Sequence, residues 1–186
     1  DDDLVERSNL QRQVQFGEAD VGSGKADRLA ARLVAAAPDC RVTCRTARWT
    51  EAQALAGAII IDATDNFETR FALNRAAHAT ARPLVSGAAT RWSGQVSVFR
   101  SGVDSGMPCY QCFVPGMPPD AEACEDVGVV GPLTGIIASH MALETLKLIT
   151  GAGQGLAGKV LRVDGLSGLT RAVKLHQDAE CPVCSA

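Results

Sequence analysis

Apolar residues recur every three or four positions along Ser23–Ala37, where Ala26, Leu29, Ala30, Leu33 and Ala37 mark one side of a predicted helix that Pro38 ends. Asn66–Thr80 repeats the pattern, with Phe67, Phe71, Asn74 and His78 along one side. Between these helices the texture changes. Ala58-Ile59-Ile60-Ile61-Asp62 is a short unbroken apolar run, as expected of a strand buried on both faces of a parallel sheet. Arg82–Gly87 reads as another buried strand, Arg41–Thr46 as a weakly alternating one, and Glu51–Ala56 as a short helix.

Further along, Gln95–Arg100 alternates as an antiparallel strand does. Met107–Pro132, rich in Pro, Gly and acids, reads as a long irregular segment, and such loops are usually functional or disordered. Leu133–Thr150 predicts a long, mostly apolar helix stopped by Gly151, and Lys159–Asp164 with Thr170–Leu175 predicts a final strand pair. Strands alternating with helices, followed by meandering strands, imply an α/β fold with a mixed sheet. The 186 residues are expected to form a single domain large enough for a substantial core.

Composition narrows the functional classes. A hydrophobic content of 46% with only 4% aromatic residues fits a core of Ala, Val, Leu and Ile. A net charge of −3, with no basic block to track a phosphate backbone, argues against nucleic-acid binding. A membrane partner is not expected either: the most apolar stretch, Val127–Ile149, is broken by Gly128, Pro132, His140, Glu144 and Lys147. Seven cysteines, an odd number, and no secretory leader pattern point to the reducing cytoplasm.

Four of those cysteines form two arms, Cys109-x-x-Cys112 and Cys181-x-x-Cys184. Four thiolates in this spacing can close a tetrahedron around Zn²⁺ with no open position for substrate, which makes the metal a staple holding the C-terminal part to the middle of the chain. The alternative is a pair of redox dithiols or disulfides. Cys40 and Cys44 read as small buried residues.

Other chemistry sits at predicted element ends. Ser8-Asn9-Leu10-Gln11-Arg12-Gln13 is dense in donors, and Arg12 presents a fork suited to phosphate oxygens. Lys25 stands at the start of a predicted helix, where N–H groups and the dipole favour an anion. A solvated polar loop is the plain alternative for both. Asp62-Ala-Thr-Asp65-Asn66 follows a predicted buried strand, where ligands of doubly wound folds bind, so Asp65 is a candidate Mg²⁺ ligand and Asn66 marks the start of the next helix. Asp1 and Asp3 stand as candidate ribose ligands on the same logic. Gly153-x-Gly155-x-x-Gly158 follows a helix instead of a strand and reads as a turn; Gly22-Ser-Gly-Lys25 lacks the phosphate-loop pattern.

Taken together, Asp1-x-Asp3, Ser8-Asn-Leu-x-Arg12-Gln13, Lys25, Asp62-x-x-Asp65-Asn66, Pro83-Leu-Val-Ser-Gly-Ala, Gly94-Gln-Val, the two Cys-x-x-Cys arms and Gly128-Val-x-Gly-Pro132 closely resemble the MoeB/ThiF family over essentially the whole chain. The resemblance implies a Rossmann-like mixed sheet with helices on both faces and a zinc-stapled C-terminal part. It implies ATP-dependent adenylation of the C-terminal glycine of a ubiquitin-like sulfur-carrier protein, for molybdopterin or thiamine biosynthesis, by a homodimer. Asp1 would hold the ribose, Asn9, Arg12 and Lys25 the triphosphate, Asp65 the Mg²⁺, with Asn66 beside it, and Cys109, Cys112, Cys181 and Cys184 the Zn²⁺. Cys124 matches a loop cysteine that some relatives use for a covalent sulfur link. Its neighbours Glu122, Glu125 and Asp126 disfavour a thiolate and argue for a bystander instead. The family's first strand and glycine-rich nucleotide loop lie upstream of the acid that matches Asp1, so the sequence is expected to be part of a longer protein. The rival reading is a non-catalytic, zinc-stapled module that binds a ubiquitin-like partner.

Overall fold

A computed structural model describes residues 1–51, 53, 57–117 and 128–185. The chain divides into two compact units, Asp1–Thr50 and Glu51–Ala186.

In the first unit, residues 3–5 lie antiparallel to residues 22–25 through three backbone hydrogen bonds of 2.8–2.9 Å. They lead into helix α1, Lys25–Ala36, close to the range read from its apolar spacing. Its face of Leu29 and Leu33 remains partly exposed. The predicted strand over Arg41–Thr46 does not form. No strand runs beside it among the described residues, and alternation without a partner supplies no ladder hydrogen bonds.

The second unit is a five-stranded sheet in the order β1 (Ile60–Asp62), β2 (Leu84–Thr90), β3 (Ser93–Phe99), β4 (Lys159–Asp164) and β5 (Thr170–Lys174). β1 and β2 are parallel, joined through helix α2 (Phe67–Ala79), and the later pairs are antiparallel. The mixed sheet is thus the one the sequence predicts, with the switch from parallel to antiparallel pairing at β2. One expectation fails. Ile61 is 53% exposed, so β1, at the edge of the described sheet beside β2, is not buried on both faces. The expected helix over Glu51–Ala56 lies largely outside the described residues.

Helix α3 (Tyr110–Phe113) interrupts the segment expected to be irregular, and helix α4 (Gly131–Thr150) ends at Gly151 in the left-handed conformation, φ 69°. α4 packs Leu133, Ile137 and Met141 onto Val85, Val96, Val98 and Val163. Gly87 and Gly94 make that approach possible: a Cβ on either would overlap Met141 or Ile137. The other face of the sheet carries an aromatic group. Tyr110 meets Phe71 of α2 and Phe99 of β3 edge-on, with centroids 5.6 and 5.7 Å apart. Helices therefore cover both faces. Among the described residues no helix is long and apolar enough to cross a membrane.

Candidate functional site

The antiparallel pairing in the first unit sets Lys25 opposite Asp3. The Lys25 N–H donates to the Asp3 carbonyl at 2.9 Å, and the side chains pair at 2.8 Å. The hydrogen bond from Lys25 holds the Asp3 carboxyl below the usual carboxylate range, with burial opposing. Beside this pair lies a cleft of about 280 Å³ whose wall includes Asp1, Gln13, Lys25, Leu29, Leu33 and Arg45. Its lining mixes apolar side chains of α1 with a few polar groups. Asp1 and Lys25, two of the residues singled out by sequence, therefore share one cleft.

Asn9 and Arg12 form a separate cluster and do not line that cleft. Asn9 is buried; its Nδ2 donates to Ser8 Oγ at 3.1 Å and to Glu6 Oε2 at 3.3 Å. Arg12 donates to Asn9 Oδ1 and to the Ser8 carbonyl, each at 3.4 Å.

In the second unit the two acids of Asp62-Ala-Thr-Asp65 have opposite surroundings. Asp62, at the end of β1, is almost fully buried and both of its carboxylate oxygens are engaged. Oδ1 accepts from Thr64 N–H at 3.0 Å and Thr64 Oγ1 at 2.7 Å, and Oδ2 accepts from Ser86 Oγ at 2.9 Å. Asp65 is exposed and makes no hydrogen bond or ion pair among the described residues. An unpaired carboxylate at the carboxyl end of a parallel strand fits a hard cation such as Mg²⁺, which takes one or two carboxylates and completes its shell with phosphate and water. Asn66 caps α2, its Oδ1 accepting from Thr69 N–H at 2.9 Å, and so fixes the loop's exit.

The four arm cysteines converge. Cys109 Sγ lies 3.5 Å from Cys181 Sγ, Cys112 Sγ lies 3.4 Å from Cys184 Sγ, and Cys109 and Cys112 are 4.0 Å apart. All four sulfurs fall within 4.8 Å of one another. Tetrahedral Zn–S bonds of about 2.3 Å put sulfurs about 3.8 Å apart, so the set is arranged closely enough to hold zinc. None of the described cysteines forms a disulfide. Burial pushes the Cys109 thiol up to about 11 and also raises Cys184. Burial likewise raises Cys181, but the N–H groups of Val183 and Cys184 outweigh it and leave that thiol lowered. A bound dication would hold all four as thiolates, against the burial that raises Cys109 and Cys184.

Two residues that sequence reading left without a role support these features. Arg70, buried on α2, donates through Nε to the Thr64 carbonyl at 3.1 Å and through Nη2 to the same oxygen. Asn74, one turn on, accepts from Tyr110 N–H at 2.8 Å and donates to Cys109 Sγ at 3.5 Å. The available signal was a pair of polar residues four apart on the face of a helix that also carries Phe71. Cys124 lies outside the described residues.

The ThiF family profile matches residues 1–183. The chain belongs to the ThiF family. It is 40% identical over 193 residues to the Drosophila grimshawi adenylyltransferase and sulfurtransferase MOCS3, covering 100% of this chain and 42% of that protein. The Thermus thermophilus sulfur carrier protein adenylyltransferase is 40% identical over 190 residues, covering 98% of this chain and 70% of the relative. The chain thus spans less than half the length of the MOCS3 relatives it matches. Among solved structures, Escherichia coli MccB with ATP superposes with a TM-score of 0.83 at 18% identity, covering 98% of this chain and 57% of that one. At that identity the likeness concerns the fold.

Proposed function

We propose that this ThiF-family protein adenylates the C-terminal carboxylate of a ubiquitin-like sulfur-carrier protein with ATP. The reading rests on one observation above the others. An exposed Asp65, unpaired among the described residues, stands beside a buried, hydrogen-bonded Asp62, in a chain 40% identical over 98–100% of its length to proteins named adenylyltransferases. A carboxylate oxygen of the carrier attacks the α-phosphorus, the bond to the bridging oxygen of the β-phosphate breaks, and pyrophosphate leaves. Two anions must approach, so charge neutralisation and alignment carry the rate. The attacking carboxylate is already ionised at neutral pH, and no general base is needed.

In this mechanism Asp1 holds the ribose, while Asn9, Arg12 and Lys25 bind the phosphates. Lys25 exchanges its Asp3 partner for phosphate oxygens, and Asp3 keeps the ammonium aligned meanwhile. Asp65 would hold Mg²⁺, which when bound offsets the charge of the β- and γ-phosphates. Cys109, Cys112, Cys181 and Cys184 would hold a structural Zn²⁺. Molybdopterin biosynthesis is favoured over thiamine on the stretches Pro83-Leu-Val-Ser-Gly-Ala-Ala and Gly94-Gln-Val-Ser-Val-Phe, which resemble that branch more closely. A homodimer fits the exposed apolar stripe of Ile136, Leu143, Leu146 and Ile149 on α4. The free thiols suit a reducing cytoplasm.

The test is ATP–pyrophosphate exchange by the natural full-length polypeptide with candidate carriers. Exchange that falls at least about 100-fold in Asp65→Ala supports the reading. Carrier binding with no exchange in either protein would instead identify a non-catalytic binding module. Cys124→Ser separates the relay from the bystander: lost sulfur transfer with intact adenylation identifies a relay.

A further inference from the structure

The buried face of α2 carries two polar side chains with different clients. Arg70 is 8% exposed and Asn74 is 1% exposed. Four residues apart, they stand one above the other on the same face of the helix. Asn74 holds the cysteine centre: its Oδ1 takes the first N–H of α3, from Tyr110, and its Nδ2 donates to Cys109 Sγ. Arg70 holds the Asp62–Asp65 loop: two of its nitrogens converge on the Thr64 carbonyl, one residue before Asp65.

The chemistry of each residue suits its place. An amide carries its acceptor and its donors on separate atoms and no charge, so one side chain can accept from a backbone N–H and donate to sulfur at once. A carboxylate at position 74 would face a thiolate with like charge. Arg70 has no carboxylate within ion-pair distance among the described residues; its guanidinium instead lies 5.9 Å over the Phe67 ring, serves the Thr64 carbonyl and faces the Tyr110 hydroxyl. A buried guanidinium used this way is costly for stability alone, since an apolar side chain would fill the space with less desolvation. The loop it grips is tied down at three further points. Asp62 accepts from Thr64 and Ser86, and Asn66 caps the helix. Tyr110, whose N–H Asn74 receives, is itself wedged between Phe71 and Phe99, so α3 cannot shift without disturbing α2.

We propose that Arg70 and Asn74 are positioning residues that set the Asp65 loop by reference to the cysteine centre, so that metal occupancy at the four cysteines governs how Asp65 is presented. The metal is then more than a staple for the C-terminal residues. Through Cys109, Asn74, one turn of α2 and Arg70, it indexes the loop 44 positions earlier in sequence than Cys109. The catalytic consequence rests on the proposed adenylation, whereas the mechanical link does not.

Hydrogen exchange of the Thr64 amide, bonded to Asp62 Oδ1, reads the link without ATP or carrier. It is measured on the full-length protein loaded with zinc and after stripping by a chelator, with metal content determined in parallel. Stripping should speed Thr64 exchange at least about tenfold, while the β4–β5 amides change far less. Arg70→Gln should exchange fast from the outset and respond little to stripping, a non-additive pattern that independent stabilisation does not give. Arg70→Lys, which keeps a donor for the Thr64 carbonyl, should recover part of the metal response and serves if Arg70→Gln does not fold. Asn74→Leu should release zinc about 10–100-fold faster, as loss of a supporting hydrogen bond to a ligand does. The idea is overturned if Thr64 exchange is unchanged on stripping while Tyr110 opens, if all strands accelerate equally, or if the protein takes up no zinc. If Thr64 responds but ATP–pyrophosphate exchange is absent, the link stands and the adenylation reading falls. If exchange of pyrophosphate is present and Thr64 is indifferent to the metal, the reverse holds.

Discussion

Removing the metal from the cysteine centre should lower the melting temperature by an amount that chain statistics set. The centre ties Cys109 to Cys181, 72 residues apart, and Cys112 to Cys184 at the same separation. If the tie is treated as one cross-link, the conformational entropy it removes from the unfolded chain corresponds to about 4.4 kcal/mol at 25 °C. For a chain of this size each kcal/mol moves the midpoint by about 2–4 °C, so stripping should lower it by about 9–18 °C. Buried thiols left without a cation add to the loss, since Cys109 and Cys181 are nearly inaccessible to water. The assay is scanning calorimetry of zinc-loaded and chelator-treated protein, with Cys181→Ser as a control that chelator should not destabilise further. Loss of one equivalent of metal with a midpoint shift below about 3 °C would refute the reasoning.

Three further outcomes follow from particular contacts. Asn66→Ala removes the cap on α2 and should cost about 1 kcal/mol by denaturant titration. Ile137→Ala opens the interface between α4 and the sheet and should cost about 2–5 kcal/mol; a smaller loss would mean that α4 is not central to the core. The Asp3 carboxyl sits lower in the folded protein than in the unfolded chain, so between those two values the unfolded chain binds the proton first. Its contribution is therefore fully present above about pH 4 and lost as pH falls through the depressed value, and Asp3→Asn should flatten the acid limb of a stability–pH curve.

Much of the fold was legible because its signals are local. The apolar spacing of α1 and α2, Gly151 after α4 and the alternation of β3 each specify an element without reference to distant residues. The errors arose where a neighbour decides. Arg41–Thr46 alternates but has no strand to pair with among the described residues, and Ile61 is as apolar as Ile60 yet stays 53% exposed. The cysteine arms were readable from spacing alone, since ligand chemistry constrains it. Asn74 was not: its partners Cys109 and Tyr110 lie 35 and 36 positions away, and the same side chain on an exposed helix face would be unremarked. Asp62 and Asp65 likewise look equivalent in sequence and part company only when Ser86 and Thr64 claim the first.

Mass spectrometry of a sulfur-carrier protein after incubation with the full-length polypeptide, ATP and magnesium tests the central claim most directly. The account predicts a carrier that gains the mass of one adenylyl group, with pyrophosphate as the co-product, and no such gain with Asp65→Ala. A carrier that binds but stays unmodified, or ATP split to ADP and phosphate instead, would contradict it.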